Sequence, residues 1–132
     1  MANSLLYGVN NAPQVVIVGD RVNFGSPVRR YGKHINMTGG EVYVQGEGYY
    51  IVDASVTFVA GAAGIATVTL LRDGAVIPGA SASLTVADAS TYTIIIPGSA
   101  IRQKCCGEST ITAVISGVIG TIAEATIRVE KE

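Results

Sequence analysis

Tryptophan is missing from this sequence, histidine occurs once, cysteine twice, and charged residues make up 14% of its 132 residues. Each scarcity removes a class of chemistry. A hydrolytic triad needs an imidazole set against a nucleophile, and His34 has only Lys33, Ile35 and Asn36 beside it, which form no such motif. His34 reads as a surface or interface residue. The cysteines, Cys105 and Cys106, are adjacent. A bond between neighbours would close a strained ring far from ordinary disulfide geometry. Zinc needs four suitably spaced ligands, and one histidine with no second cysteine pair cannot supply them. The pair is left as ordinary, partly buried thiols or as interchain thiols near a symmetry axis. Asp53, Asp73, Glu41 and Glu47 are the carboxylates from which a glycosidase pair would have to be drawn, and turns or solvent-facing positions explain each one better. The stretches 61–64 and 117–120 are bounded by glycine, but no Lys-Ser/Thr and no helix follows, so neither is a phosphate loop. The expectation is a chain with no catalytic residue and no cofactor.

Scarce charge also bears on partners. About 25% charged residues is usual in soluble domains, well above the fraction here. A formal net charge of −1 gives no electrostatic footprint for nucleic acid. The one basic cluster is Arg29, Arg30 and Lys33, with His34 beside it, which reads as a solvated loop or an interface ion-pair donor. No run approaches the roughly 18 apolar residues of a membrane span. The first residues, Met-Ala-Asn-Ser-Leu-Leu-Tyr, lack the basic and apolar regions of a secretory signal, so release in the cytosol, or exit by a route other than a cleaved signal, is expected.

What is abundant is branched at Cβ. The sequence holds 17 Val, 14 Ile and 11 Thr against 5 Leu. Such side chains suit a pleated surface and lose rotamer freedom in a helix, so the class is all-β, with 16 Gly to supply turns. Apolar residues reach 48%. A small domain this apolar would expose much hydrophobic surface alone, which points to a buried subunit interface. The alternative is that Ala and Gly swell the apolar fraction while burying little.

Along the chain, residues 1–13 carry little periodicity and read as an extended arm. A short apolar strand follows over 14–19, then a break at Asp20-Arg21, and Val22-Asn-Phe24. From Tyr49 to Val59 the even positions Tyr50, Val52, Ala54, Val56 and Phe58 are all apolar, and the odd positions include Asp53, Ser55 and Thr57. That is period-two alternation with one face to a core. Asp73-Gly74 predicts a tight hairpin, and Pro78 should end its ladder or sit on an edge. Thr91–Ile96 contains three consecutive Ile, which must place apolar side chains on both faces. Pro97-Gly98 is read as a turn. About eight to ten short strands result, leaving a sandwich, a jelly roll or a small barrel.

The segment Gly46-Glu-Gly-Tyr-Tyr-Ile-Val-Asp-Ala-Ser-Val-Thr-Phe58 resembles the central strand of the C1q/TNF-like jelly rolls. Val68-Thr-Leu-Leu-Arg-Asp-Gly-Ala-Val-Ile-Pro-Gly79 resembles their strand–turn–strand hairpin, and Glu124-Ala-Thr-Ile-Arg-Val129 their closing strand. The likeness covers residues 34–130 and is nearest to the small bacterial and bacteriophage versions, including the C-terminal domains of collagen-like spore-surface proteins. It implies a two-sheet jelly-roll sandwich of about ten short antiparallel strands, assembling as a homotrimer whose axis is lined from Tyr49, Ile51, Ile95 and Val114. With no collagen-like stalk before the domain, the expected role is a non-enzymatic surface or decoration protein of a bacteriophage capsid or tail. Residues 1–27 would anchor it to another virion protein, and residues 28–132 would form the jelly roll. Two alternatives stay open: an adhesion module recognising glycans or a receptor, and a bacterial spore or cell-surface coat component. The scarcity of aromatics, with Tyr49, Tyr50 and Tyr92 read as interior, counts against glycan binding.

Overall fold

The computed structural model describes residues 4–16, 21–104 and 107–132, and every regular element among them is a β-strand. The strands are β1 (Ser4–Asn10), β2 (Gln14–Val16), β3 (Ser26–Tyr31), β4 (Ile35–Thr38), β5 (Glu41–Gln45) and β6 (Gly48–Ala60), followed by β7 (Gly64–Arg72), β8 (Ala75–Val86), β9 (Thr91–Gln103), β10 (Glu108–Ser116) and β11 (Gly120–Lys131). They build two antiparallel sheets, one ordered β3-β1-β11-β6-β9 with β2 also on β11, the other ordered β4-β5-β10-β7-β8. From β3 onward the chain crosses between the sheets at almost every connection; only β4–β5 and β7–β8 are hairpins within one sheet. This winding is a jelly roll, whose core lies between the two inner faces.

The alternation in β6 carries the fold. Tyr50, Val52, Ala54, Val56 and Phe58 all point inward and are buried. Tyr50 is fully enclosed, and its hydroxyl donates to the carbonyls of Gln45 and Gly46, 2.9 and 2.8 Å away. Burial pushes the phenol's pKa above its ordinary value. At the β7–β8 turn, Asp73 and Gly74 both have positive φ, 51° and 84°, as a type I′ turn requires. The Asp73 carboxylate accepts the Thr110 N–H at 2.9 Å and so ties this hairpin to β10.

Two readings need correction. Residues 4–10 are not an arm: β1 is an interior strand, paired to β11 on one side and β3 on the other. Its inward positions are Ser4, Leu6 and Gly8, and all three are buried. Only Leu6 looks like core in the sequence, so the period of two is disguised. Gly8 is there because the tip of Met37 occupies its space; a Cβ would lie 2.5 Å from Met37 Cε. Val22 and Phe24 are core residues too, at 2% and 0% exposure.

Pro97-Gly98, expected to be a turn, does not turn the chain. Strand β9 runs through it, with Val52 opposite Ser99 and Ala54 opposite Ile96, so two residues of β9 face one of β6. That is a β-bulge, and β9 is an edge strand, where a residue without an N–H is tolerated. Pro78 sits as expected on the other sheet's edge strand β8, within the irregularity between Val76 and Ser81. Pro27 lies in a third edge strand, β3.

Candidate interaction surface

The outer face of the six-stranded sheet is built from the positions that alternate with the core. Registers align Leu5, Glu130 and Ile51 in one row, Tyr7, Arg128 and Asp53 in the next, and Val9, Thr126, Ser55 and Ile95 in a third. Apolar side chains stand proud of it: Ile95 is 64% exposed, Tyr49 57% and Tyr7 37%. A shallow hollow of about 340 Å³ lies at its centre, between Tyr7, Ile95, Ser55, Thr126 and the Asp53–Arg128 pair.

The polar groups at the centre of this face pair within the sheet. Arg128 closes on Asp53, with Nε 3.0 Å from Oδ2, and its Nη1 lies 3.3 Å from Glu130 Oε1. The hydrogen bond and charge of Asp53 raise the guanidinium's pKa further. Ser55 and Thr126 hydroxyls meet at 2.7 Å, and Thr57 and Thr93 at 3.0 Å. Such cross-strand hydroxyl pairs leave few polar atoms asking for water. At one end the Arg102 guanidinium lies over the Tyr49 ring, 5.9 Å from its centroid, with Glu47 3.7 Å away.

Three of the four residues expected to line an axis come together here. Tyr49 and Ile51 on β6 and Ile95 on β9 share this face. Val114 does not: it is on β10, in the outward row of the other sheet, half-buried and bridged to Arg21. The four cannot form one surface. Tyr49, read as interior, is largely exposed; Tyr50 is enclosed, and Tyr92 packs partly buried against the core. Sequence reasoning missed Tyr7, because β1 was read as an arm, and Thr126 and Arg128, although their alternation in β11 carried the signal.

The remaining candidates are dispersed. His34 Nδ1 lies 3.0 Å from the Gln45 carbonyl. Arg29, Lys33 and His34 are surface-facing, and Arg30 donates to the Ile35 carbonyl at 2.9 Å and to Asn36. Glu41 is paired with Arg21. The turn at 61–63 packs against that at 117–119 through the Gly61 N–H and the Ile119 carbonyl, 2.8 Å apart. No cluster of three metal-ligating side chains occurs among the described residues. Cys105 and Cys106 lie outside the described residues.

No family model and no curated protein matches the sequence. Solved structures do match the fold. Murine APRIL at pH 5.0 superposes with a TM-score of 0.75 at 15% identity, covering 98% of both chains. The globular domain of zebrafish complement 1qA gives 0.64 at 8% identity, over 95% of this chain and 94% of that one. PRD1 vertex protein P5 gives 0.61 at 10% identity, over 99% and 98%. The fold is therefore a C1q/TNF-like jelly roll, and at these identities the likeness is one of fold alone.

Proposed function

We propose that this chain is the subunit of a homotrimeric, non-enzymatic structural protein displayed on a bacteriophage particle, on its capsid or tail. The observation that carries the reading is the outer face of the six-stranded sheet. Ile95 and Tyr7 project from it beside a hollow, Tyr49 stands exposed on the same face, and the central polar groups, Asp53 with Arg128 and Ser55 with Thr126, are already paired to one another. A face of that composition loses little on leaving water and gains from burying its apolar groups. The C1q/TNF-like resemblance implies three copies around an axis, and Tyr49, Ile51 and Ile95 are the residues that would approach it. The likeness to a vertex protein supports a virion setting. Attachment to the particle is assigned to the segment before residue 28, outside β1, where Val15 is 83% exposed.

Light scattering over a dilution series tests the assembly. A mass of three chains, independent of concentration, is expected. Ile95→Asp should give a folded monomer, since a carboxylate would have to be buried unpaired. A monomeric wild-type protein overturns the trimer. Copurification with capsid shells tests the setting, and an unchanged occupancy for Val15→Asp overturns the attachment.

A further inference from the structure

Arg21, Arg102 and Arg128 each pair with a carboxylate. Arg72 is held differently. It is the last residue of β7, on the inward row, and its guanidinium closes the end of the core between the sheets. Nη2 donates to Gln103 Oε1 at 2.6 Å and Nε to Ser109 Oγ at 3.3 Å, while the Ser109 hydroxyl donates to the same Gln103 oxygen at 2.8 Å. Gln103 and Ser109 are each 4% exposed. Among the described residues the guanidinium is thus fixed by two enclosed neutral side chains, which orient it without cancelling its charge. Asp73, next in sequence, has its Oδ1 on the Thr110 N–H.

This charge borders a hollow of about 370 Å³ at the mouth of the sandwich, between the edge strands β8 and β9. Val76, Ile77, Pro78 and Ile101 supply apolar walls, and Arg102 is also in the lining. Val76 is 61% exposed. A pre-oriented guanidinium next to apolar walls is complementary to a carboxylate carried on an apolar body: the fork binds both oxygens, and the body covers the walls. Pockets of this size suit small ligands.

We propose that the hollow between β8 and β9 binds small monocarboxylates with an apolar body, the carboxylate on Arg72 and the body against Val76, Ile77 and Pro78. The site needs residues of one copy only and does not rest on self-association. The probe is 3-phenylpropionate, titrated into the full-length protein and followed by amide NMR shifts, with 3-phenylpropanamide as its uncharged match. Saturable shifts are expected at Val76, Ile77 and Ile101, with the amide at least tenfold weaker. Arg72→Gln keeps a partner for Gln103 and Ser109 but removes the charge, and should weaken the acid to the level of the amide. Ala100 is surface-exposed on the rim, so Ala100→Trp should fill the hollow in a folded protein and abolish binding; this variant carries the test if Arg72→Gln fails to fold. Equal binding of acid and amide, shifts that do not saturate, or full-strength binding by folded Ala100→Trp or Arg72→Gln would each overturn the proposal.

Discussion

Asp53 and Arg128 stand opposite one another on β6 and β11, and the guanidinium bonds the carboxylate on the face proposed to meet its neighbours. In an isolated subunit both groups are partly wet, with side chains 28% and 50% exposed. Exposed pairs contribute about 1 kcal/mol or less. Asp53→Asn should therefore lower subunit stability by less than about 1 kcal/mol in urea melts. Assembly should suffer more, by about 2 kcal/mol or above, because Arg128 loses its hydrogen-bonded carboxylate as water is removed and keeps only the more distant Glu130. Dissociation measured by dilution reads the second effect, and an equally small loss in both would show that the face stays wet.

Tyr50→Phe removes one buried hydroxyl and leaves the Gln45 and Gly46 carbonyls without that donor. The cost near neutral pH should be about 1 kcal/mol. The pH dependence has a definite sign. The folded phenol's pKa is raised, so below the ordinary tyrosine value of about 10 both states hold the proton and stability is unaffected by this group. As pH climbs past it, the unfolded chain ionises first and stability falls. Denaturant melts from pH 8 to 11 should show a shallower alkaline decline for Tyr50→Phe than for the wild type.

Removing residues 1–13 deletes β1, an interior strand, and bares the flank of β11. The truncated chain should lose cooperative unfolding, as judged by calorimetry, instead of remaining a folded domain. Leu6→Ala is the milder form of the same test and should cost about 2–5 kcal/mol. A truncated protein with the wild-type melting temperature would show that β1 adds nothing to the fold.

Ile95 and Val114 point away from opposite sides of the sandwich. Ile95→Asp should abolish the mass of three chains while leaving the β-type circular dichroism unchanged. Val114→Thr should leave that mass intact. The reverse result would move the contact to the other sheet.

How much of this is legible in the sequence depends on which residues fill the inward rows. β6 is read to within one residue at each end, because Val, Phe and Tyr alternate with Asp, Ser and Thr. The Asp73-Gly74 turn is equally plain, since few residues accept both positive φ angles. β1 is hidden because two of its three inward positions are Ser4 and Gly8, which are not hydrophobic, and Gly8 is set by the close approach of Met37. Pro97-Gly98 misleads for another reason: a proline and a glycine in series mark a turn or a bulge equally well, and only the partner strand decides. Among candidate interface residues, alternation places Ile51 and Ile95 on an outward face. Nothing in β10 alone says which sheet Val114 belongs to. The Arg72 hollow joins residues from β7, β8 and β9 with two hydrogen-bond partners from β9 and β10, a convergence invisible before the strands are ordered.

Three of the chain's four prolines sit in edge strands, Pro27 in β3, Pro78 in β8 and Pro97 in β9, while the edge strands β4 and β2 are only four and three residues long. Each proline takes one hydrogen-bond donor out of a border that would otherwise invite another chain to dock along it. Growth by adding strand to strand is discouraged at these borders, which leaves the flat faces as the surfaces on which a second copy could settle. A chain edged in this way is guarded against fibres built by strand addition.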